Sequence, residues 1–373
     1  MSIFMSSGEA SGDHYTAALA RTLRAAGYED EIWGMGGVES RHAGIKIEWD
    51  GERLQLLGFT EVLSAIPSIF ALRREMVQRI LDRQPEAVVV VDSPDYHMRL
   101  IAKLRGKGYR GKVFYISPPA VWAWRSSRAN DLRATVDECL PLFRFEHDYL
   151  LSRGCNSYWV GNPLLEEFSS GSFCEVPPEL SDDSRLVAFL PGSRASEVNS
   201  LLPMMENVAD RLAESGWHPV FSVAPGLNQR VREMLLQRFG ESKRDYYEGA
   251  GRDLMAAANC AIGASGTITV ESLLLRCFMI VTYKVNPLSA MLAKMIIKTP
   301  HFAMANILAG CEMFPELIQD KATADNIYNM AVKWLDGGEE YRSVIRDKMD
   351  EARKTMGEPG VYRYWCSRIL EAV

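Results

Sequence analysis

The sequence predicts an α/β protein with two doubly wound, Rossmann-like domains that face a cleft. Continuous β-branched runs, such as AVVVV at 87–91, alternate with helical patterns, which is typical of buried parallel strands joined by crossover helices. This rhythm breaks at 163–185, a small, polar and Pro-bearing stretch, and then begins again. The chain of 373 residues also exceeds what one hydrophobic core usually organises. We therefore assign 1–165 to a first domain and 166–338 to a second.

The elements of the first domain are predicted from these patterns in chain order. A helical pattern follows most strands and returns the chain to the start of the next one, as right-handed βαβ units require. The predicted strands are 3–7, 87–92, 112–116 and 157–160, and the predicted helices are 14–26, 96–107 and 145–153.

The second domain repeats the strand-then-loop theme in the stretches RLVAFLPGSRASEV, PVFSVAPG, CAIGASGT and FMIVTYK. The last stretch, 339–373, carries helical patterns without a strand, and it can pack on either domain, the first included. Sheets of this kind bind ligands at the carboxyl ends of their strands, so the chemistry is expected in the loops that follow the strands.

Composition excludes several classes of function. The net charge of −6 provides no overall attraction to nucleic acid, so no nucleic-acid partner is expected. The seven cysteines are odd in number and form no Cys-x-x-Cys pair, which indicates reduced thiols rather than a disulfide framework or a zinc site. The six histidines are scattered, so no metal site is predicted. No signal-peptide pattern and no apolar run of bilayer-spanning length is found.

The opening loop, GEASGD at 8–13, follows the first predicted strand. Its two glycines allow a sharp turn and a close approach to a ligand, and Ser11 or Asp13 can cap the helix that follows. Glu9 and Asp13 add negative charge, which favours sugar hydroxyls or proton transfer over a phosphate cradle. The alternative is a capped turn between strand and helix with no ligand.

A carboxylate stands at the end of the most apolar strand. Asp92 follows that strand in VVVVDSPDYH, and burial there can raise its pKa enough for it to act as a general base. The alternative is a helix cap, but Asp95, which follows Pro94, suits the cap better and leaves Asp92 the freer of the two.

An aromatic and cationic corner, SPPAVWAWRSSR, follows the next strand. Trp122 and Trp124 can stack on sugar or aliphatic groups, and Arg125 or Arg128 can form a forked bond to phosphate. The alternative is an ordinary packed corner of the surface.

Two loops in the second domain favour a nucleotide diphosphate. Gly192-Ser193-Arg194 stands directly before a helix and supplies backbone donors, a hydroxyl and a guanidinium. Ser265-Gly266-Thr267 opens another helix, and Glu271 one turn later can accept two hydrogen bonds from ribose hydroxyls. Each loop alone could be a helix cap, but the pair in one domain favours a diphosphate site.

Two stretches combine apolar and basic residues, as surfaces on anionic membranes do. The first is TEVLSAIPSIFALRREMVQR at 60–79, and the second is KVNPLSAMLAKMIIKTP at 284–300. For both, the alternative is a core helix with solvated charged ends. The residues of the first stretch that we expect to contact membrane or acyl chains are Val62, Leu63, Ile66, Ile69, Phe70, Arg73 and Arg74.

Together these stretches resemble the lipid-A-disaccharide synthases, a family of bacterial inverting glycosyltransferases with two Rossmann-like domains (the GT-B type). The resemblance covers nearly the whole chain. It rests on GEASGD, GFTEVL, DSPD, SPPAVWAWR, LPGSR, SGTITVES and NILAG…PEL, in this order. So many ordered motifs at consistent spacing are specific, although none would be specific alone.

The resemblance implies a reaction. The family transfers 2,3-diacylglucosamine from UDP-2,3-diacylglucosamine to 2,3-diacylglucosamine 1-phosphate, which forms the β-1,6-linked lipid A disaccharide 1-phosphate of lipopolysaccharide and releases UDP. The resemblance implies no metal and no organic cofactor. It implies a cytoplasmic protein, peripheral on the inner face of the cytoplasmic membrane with the anionic surface as a partner, and it allows a homodimer.

The resemblance also carries roles over to single residues. Asp92 corresponds to the acidic residue after the buried strand and is the candidate base, while Glu9 and Asp13 correspond to the opening motif on the acceptor side. Arg194 corresponds to the arginine that neutralises the diphosphate of UDP, and Asn306 in NILAG is expected near UDP. The other expected UDP-sugar positions are Gly192, Ser193, Ser265, Gly266, Thr267 and Glu271.

Three positions depart from the family pattern. Asn162 stands where a histidine is usual, Arg144 where a proline is usual, and Cys311 where a basic residue is common. No role is carried over to these three positions.

Two alternatives remain open. Another UDP-sugar enzyme of this architecture, an N-acetylglucosamine transferase of peptidoglycan synthesis or a UDP-sugar epimerase, would share the nucleotide loops, but an epimerase needs no lipid-facing apolar surface. A non-catalytic lipid- or nucleotide-binding protein would share the fold, but it would need neither Asp92 nor the Arg194 loop.

Overall fold

The chain divides into two compact units in the computed structural model. One unit comprises Met1–Glu166 and Gly357–Val373, and the other comprises Glu167–Met356. The structure describes residues 1–51, 54, 62–171, 173–176, 179–180, 183–192, 195–225, 227, 229–284 and 299–373, with the side chains of 62–66 and 196 outside that description.

The first unit is built on a parallel sheet of six strands in the order β3-β2-β1-β4-β5-β6. Its elements are β1 (Ser2–Ser7), α1 (Ala10–Ala25), β2 (Glu31–Gly36), α2 (Val38–His42), β3 (Lys46–Asp50), α3 (Val62–Arg83), β4 (Ala87–Val91), α4 (Pro94–Gly106), β5 (Lys112–Ile116), α5 (Arg128–Thr135), β6 (Glu138–Leu140), α6 (Arg144–Ser152) and α7 (Pro163–Ser169), whose last residues pass into the second unit.

The second unit repeats this architecture with a parallel sheet in the order β12-β11-β10-β7-β8-β9. Its elements are β7 (Leu186–Leu190), α8 (Ala195–Glu214), β8 (His218–Val223), α9 (Gln229–Ser242), β9 (Tyr246–Glu248), α10 (Gly251–Ala257), β10 (Cys260–Ala264), α11 (Ile268–Leu274), β11 (Met279–Tyr283), α12 (Met304–Ala309), β12 (Glu316–Ile318), a 3₁₀ turn (Gln319–Lys321), α13 (Ala324–Leu335) and α14 (Glu339–Lys354). A last helix, α15 (Val361–Leu370), belongs to the first unit.

Both sheets have the doubly wound strand order, as the sequence predicts. Counted within its own unit, each sheet has the order 3-2-1-4-5-6, so its first and fourth strands are neighbours and the chain leaves them towards opposite edges. A crevice opens outside the carboxyl ends of two such strands, and this is where ligands bind in these folds. In the first unit the two strands are β1 and β4, and in the second they are β7 and β10.

Both faces of the first sheet are apolar and are covered by helices. On β1, Ile3 and Met5 pack on the face covered by α1 and α15, while Phe4 packs on the face covered by α3, α4 and α5, and none of the three is exposed. A strand buried on both sides is apolar throughout, which is why the sequence shows runs rather than alternation.

Several predicted elements differ from the structure. The stretch 157–160 is not a strand, because Ser157 makes only a single bridge to Cys139 beside the short edge strand β6. The strands β2, β3, β6, β9 and β12 are not anticipated. Within β2, Gly34 has a φ angle of +149°, and a Cβ atom there would lie 1.9 Å from the carbonyl oxygen of Met5, so a glycine that looks unfavourable for a strand is required by close strand packing.

The two C-terminal helices separate between the units. Helix α14 belongs to the second unit, whereas α15 packs on α1 of the first. Trp365 on α15 is 1% exposed and meets Tyr15 of α1 edge to face, with ring centroids 6.3 Å apart. Arg368 binds Glu138 of β6 through two hydrogen bonds of 2.7 and 3.0 Å. The end of the chain therefore completes the core of the first unit.

Trp365→Ala is expected to lower the free energy of unfolding of the first unit by about 3–5 kcal/mol, because it removes a large side chain from a fully packed site. Arg363→Ala, on the exposed face of the same helix, is the control and should change it by less than about 0.5 kcal/mol. Chemical denaturation followed by circular dichroism measures both. Equal stability of the two variants would mean that α15 contributes nothing to this core.

Candidate active site

The loops singled out in the sequence lie at the two switch points of the sheets. Ser7 and Val91 are register partners at the ends of β1 and β4, so the opening loop and Asp92 leave neighbouring strands. Leu190 and Gly263 are partners on β7 and β10, so the loops at 192–194 and 265–267 also leave neighbouring strands. The topology thus assembles four loops that are far apart in the sequence into two pairs.

Asp92 has an unusual backbone conformation. Its φ angle is +51°, and that of the next residue, Ser93, is +44°. The left-handed region costs an L-residue roughly 1–2 kcal/mol, so two such residues in succession need support from their surroundings. The support is on the backbone of Asp92: its N–H donates to the carbonyl of Ile116 at 3.0 Å, and its own carbonyl accepts from Tyr115 and His97, each at 2.8 Å.

The Asp92 carboxyl group is poised to exchange a proton near neutral pH. Burial, with the negative charge of Glu9 adding to it, raises its pKa to about 7, although a hydrogen bond from the Ser93 side chain works in the opposite direction. A carboxyl group with such a pKa can accept a proton at physiological pH, as a general base must. A Cβ atom at Gly12 would lie 3.2 Å from the Asp92 Oδ2 atom, so glycine keeps the α1 backbone close to this oxygen.

The opening loop presents one carboxylate outward and one inward. Glu9 is the N-cap residue of α1 and is exposed, as is Ser11 in the first turn. Asp13 is 8% exposed, and its carboxylate accepts from the backbone amides of Gly37 at 2.6 Å and Glu39 at 3.0 Å. Asp13 therefore holds the start of α2, a structural role that the sequence pattern did not indicate.

The corner after β5 contains a compact cluster of charges. Arg125 binds Asp95 at 3.2 Å, and Arg128 forms an ion pair with the same carboxylate. Burial opposes ionisation of Asp95, but the bond and charge of Arg128, with Arg125 and Arg99 adding to them, hold its pKa below the usual range. The guanidinium of Arg125 lies 4.3 Å from the ring centroid of Trp124. A single exposed carboxylate thus faces several guanidinium groups.

The neighbouring Trp122 belongs to the fold of this corner. Its indole N–H donates to Glu146 at 3.0 Å, and its ring meets Phe145 edge to face. Glu146 also accepts from two backbone amides at the start of α6, yet burial raises its pKa to about 7. Trp122 is thus tied to α6, whereas Trp124 lies under the arginines.

The 192–194 loop of the second unit is described only in part. Gly192 has a φ angle of +109°, and a Cβ atom there would lie 2.6 Å from the Glu197 carboxylate, so this turn requires glycine. Ser193 and Arg194 lie outside the described residues. In the partner loop, Gly266 and Thr267 are exposed and Ser265 is partly buried, and the space where a Cβ of Gly266 would stand is open.

Glu271 shares a charged cluster with Arg252. The Arg252 Nη1 atom lies 3.5 Å from Glu167 and 4.0 Å from Glu271. Burial raises the pKa of Glu271 to about 7 against the opposing charge of Arg252, and Glu167 and Asp253 add to the increase. Sequence reasoning missed Arg252, because its surroundings, RDLM at 252–255 on a short helix, match no recognisable binding motif.

Asn306 is committed to the fold. It is not exposed, and its amide group donates to the Phe314 carbonyl at 2.7 Å and to Glu316 at 2.8 Å, while its oxygen accepts from the amides of Met313 and Phe314. Glu316 in turn accepts from the amide of Ala303 at 2.8 Å. The NILAG and PEL motifs therefore bind one another. The expected position of Asn306 near UDP stays a prediction. Its enclosed amide group, whose polar atoms are all paired, holds the shape of this segment.

The first membrane stretch forms the beginning of α3. The side chains of Val62, Leu63 and Ile66 lie outside the described ones. Phe70 is 49% exposed, whereas Ile69 is partly buried against the core of the first unit. None of the helices in the described part of the chain combines the length and apolar content that a bilayer crossing requires. The central part of the second stretch, 285–298, lies outside the described residues.

The two arginines of this stretch differ from each other. Arg74 is exposed, as a headgroup contact requires. Arg73 is 3% exposed and lies 4.6 Å from the ring centroid of Phe70, and its pKa is lowered by burial and by the charge of Arg99. The expectation that Arg73 faces lipid headgroups is therefore wrong, because α3 turns this position towards α4.

Two of the three residues that depart from the family pattern have a structural role in their immediate surroundings. Asn162 is 1% exposed and its oxygen accepts from the Leu164 amide at 3.0 Å, so it caps α7. Arg144 is exposed and pairs with Asp148 at 3.8 Å one turn later. Nothing in the structure explains Cys311.

Comparison with known proteins decides the family. The profile of the family described as lipid-A-disaccharide synthetase matches residues 3–363. This chain belongs to the lipid-A-disaccharide synthetase family. It is therefore a glycosyltransferase of lipid A synthesis, at the step that forms the disaccharide.

Relatives agree with this assignment, and solved structures agree with the fold. The lipid-A-disaccharide synthase of Azotobacter vinelandii is 33% identical, over 94% of this chain and 96% of the relative. That of Myxococcus xanthus is 31% identical, over 99% and 97%. A UDP-GlcNAc 2-epimerase from Neisseria meningitidis, bound to UDP-GlcNAc, has a TM-score of 0.69 at 12% identity and full coverage of both chains. One from Methanocaldococcus jannaschii, in complex with UDP-GlcNAc and UDP, has a TM-score of 0.62 at 14% identity and 99% coverage of each chain. The epimerases share the fold.

Asp92→Asn is expected to raise the free energy of unfolding of the first unit at about pH 8, by on the order of 2–4 kcal/mol. The unfolded carboxyl group ionises near its ordinary pKa, whereas the folded one resists ionisation until about pH 7. The parent protein therefore loses stability as the pH rises from about 4 to 7, and the amide variant does not. Denaturation midpoints at several pH values measure the difference, which should shrink towards about pH 4.

Asp95→Asn is the matched control for this experiment. The pKa of Asp95 lies below its ordinary value, so the folded state favours its ionised form and its removal should destabilise the protein at neutral pH. An Asp92→Asn variant no more stable than the parent at about pH 8 would contradict the raised pKa.

Proposed function

We propose that this chain transfers 2,3-diacylglucosamine from UDP-2,3-diacylglucosamine to the 6-hydroxyl group of 2,3-diacylglucosamine 1-phosphate. The products are the β-1,6-linked disaccharide 1-phosphate and UDP. Inversion at the anomeric carbon takes one displacement, in which the acceptor oxygen forms the new bond as the bond to UDP breaks. The hydroxyl proton must pass to a base, and the diphosphate of the leaving group must be stabilised by cations or donors.

Asp92 is the proposed base, and its environment is the observation that carries the proposal. Its carboxyl group lies at the carboxyl end of a buried strand, with a pKa of about 7 from burial and from the charge of Glu9. Such a group is ionised enough at neutral pH to accept a proton, yet basic enough to hold one in the transition state. Glu9 is exposed in the neighbouring loop and is proposed to contact sugar hydroxyls as well as to tune the base.

Asp13 enters the proposal as a positioning residue. Its bonds to the amides of Gly37 and Glu39 connect the first turn of α1 to α2. This connection holds α1, and with it the Glu9 and Ser11 end of the opening loop, beside β4. The proposed acceptor side therefore uses Asp13 through the backbone rather than through substrate.

The proposed acceptor phosphate site is the corner after β5. Arg125 and Arg128 share the carboxylate of Asp95, so a phosphate dianion could replace or join it and be held by forked bonds. Trp124 offers an apolar ring next to these cations. The sugar or the start of an acyl chain is proposed to lie against it.

The UDP part of the donor is proposed to bind the second unit. Gly192, Ser193 and Arg194 supply the diphosphate contacts, with Arg194 neutralising charge on the leaving group. The Ser265-Gly266-Thr267 loop is open to solvent, as a nucleotide loop must be. Glu271, with a raised pKa, is proposed to accept hydrogen bonds from the ribose hydroxyls.

The proposed location is the inner face of the cytoplasmic membrane, as a peripheral protein on its anionic surface. Both substrates carry acyl chains, and the exposed Phe70 with the neighbouring Arg74 offers an apolar and cationic surface on α3. A homodimer is compatible with this proposal.

The central test is Asp92→Ala in an assay of UDP release with the two acylated substrates. The variant should lose at least about 10²-fold in kcat while its affinity for UDP, measured by calorimetry, stays within about twofold, because a base acts on the acceptor and not on the nucleotide. Turnover at the parental rate would remove Asp92 from the mechanism. Turnover of UDP-sugar without acceptor would favour an epimerase instead.

Glu9→Gln tests the electrostatic part of the proposal. The rate should fall on the acid side of about pH 7 in the parent, because protonated Asp92 cannot accept a proton. Removing the charge of Glu9 should move this acid limb of kcat/KM to lower pH, because that charge raises the pKa of Asp92. A limb at unchanged pH would mean that the two carboxylates are not coupled. Glu39→Gln, which removes an exposed carboxylate on α2, should leave the limb in place.

A further inference from the structure

The carbonyl oxygen of Asp92 is the end point of a buried hydrogen-bond chain. Tyr115 Oη donates to it at 2.8 Å, and His97 Nδ1 lies 2.8 Å from it. The other ring nitrogen of His97, Nε2, lies 2.8 Å from the Ser6 hydroxyl. Ser6, His97 and Tyr115 are all 0% exposed. Tyr115 and His97 touch the backbone of Asp92 directly, and Ser6 is linked to it only through His97. The three residues belong to three different elements, β5, α4 and β1.

The chemistry of the partners determines the direction of each bond. A carbonyl oxygen only accepts, so His97 Nδ1 carries the proton and donates it. The neutral ring then has Nε2 free to accept, and the Ser6 hydroxyl donates to it. Burial lowers the pKa of His97 to about 4, so the ring stays neutral across the range in which Asp92 titrates.

The two donors occupy both acceptor positions of one carbonyl group. This fixes the peptide plane between Asp92 and Ser93, the two consecutive residues with φ angles of +51° and +44°. Neither residue is a glycine, so the left-handed turn depends on bonds of this kind. This left-handed turn sets the direction in which the Asp92 side chain leaves the end of β4.

We infer that Tyr115 and His97, with Ser6 behind the imidazole, are positioning residues that aim the carboxylate of Asp92 by clamping its backbone carbonyl. This inference rests on the proposed function, in which Asp92 is the base. The clamp touches no substrate. It acts only on the orientation of Asp92, so its loss should reduce kcat and leave the binding of both substrates unchanged.

Tyr115→Phe is the test, and the chain offers a matched control in Tyr109→Phe. Both phenols are 0% exposed, and Tyr109 donates to the Pro85 carbonyl at 2.7 Å, just before β4 begins. Each variant removes the hydroxyl group that donates to one buried carbonyl oxygen, so both should lower the melting temperature to a similar extent. Tyr115→Phe should lower kcat about tenfold with KM values within about twofold, since small errors of orientation are costly, and Tyr109→Phe should keep the parental kcat.

A double variant separates action through Asp92 from general damage. In the Asp92→Asn background, Tyr115→Phe should cause no further loss of kcat, because the group that it positions is already gone. An equal loss in both backgrounds overturns the inference, and so does an unchanged kcat in Tyr115→Phe alone. Parental turnover in Asp92→Asn would instead overturn the proposed base, which distinguishes the two failures.

Ser6→Ala serves if Tyr115→Phe does not fold. It removes the donor to His97 Nε2 and leaves the ring held only through Nδ1, so the imidazole can tilt, which should lower kcat about threefold without a change in KM. An unchanged kcat in a folded Ser6→Ala protein overturns the part of the clamp that runs through His97.

Discussion

The strand order of the two sheets is the constraint on which the rest of the structure depends. In each unit, the first and fourth strands are hydrogen-bonded neighbours, and the connections that follow them run to opposite sides. Loops far apart in the sequence, such as those at 8–13 and 92–95, therefore leave the sheet side by side. The same order in the second unit pairs the loops at 192–194 and 265–267. Each unit of the chain therefore has one such crevice.

Burial on both faces of the first sheet gives the candidate base its properties. A strand enclosed by helices ends in a poorly solvated environment, and a carboxyl group there has a raised pKa. The same enclosure removes water from Ser6, His97 and Tyr115, so their polar groups must bind one another or the backbone. The raised pKa of Asp92 is thus a consequence of this enclosure, and the surrounding hydrogen bonds support the left-handed turn at the same residue.

The motif residues of the family are of two kinds in this structure. Some, such as Asp92, Glu9 and Thr267, present polar groups at a switch point. Others, such as Asp13 and Asn306, use their polar atoms on backbone groups of the loops that surround it. A motif is therefore as informative about the loop as about the ligand, because a loop that has to hold a fixed shape needs polar residues inside it.

The sequence by itself determined the class of fold, the positions of the long strands and helices, and the family, because continuous apolar runs, helical periodicity and ordered motifs are local signals. It also predicted the buried strand that ends before Asp92, the candidate base. Tertiary structure decided the short strands β6, β9 and β12, the division of α14 and α15 between the units, and the inward orientation of Asp13, Arg73 and Asn306. It alone brought Tyr115 and His97 to one carbonyl oxygen. These features depend on contacts between distant segments, which no local pattern encodes.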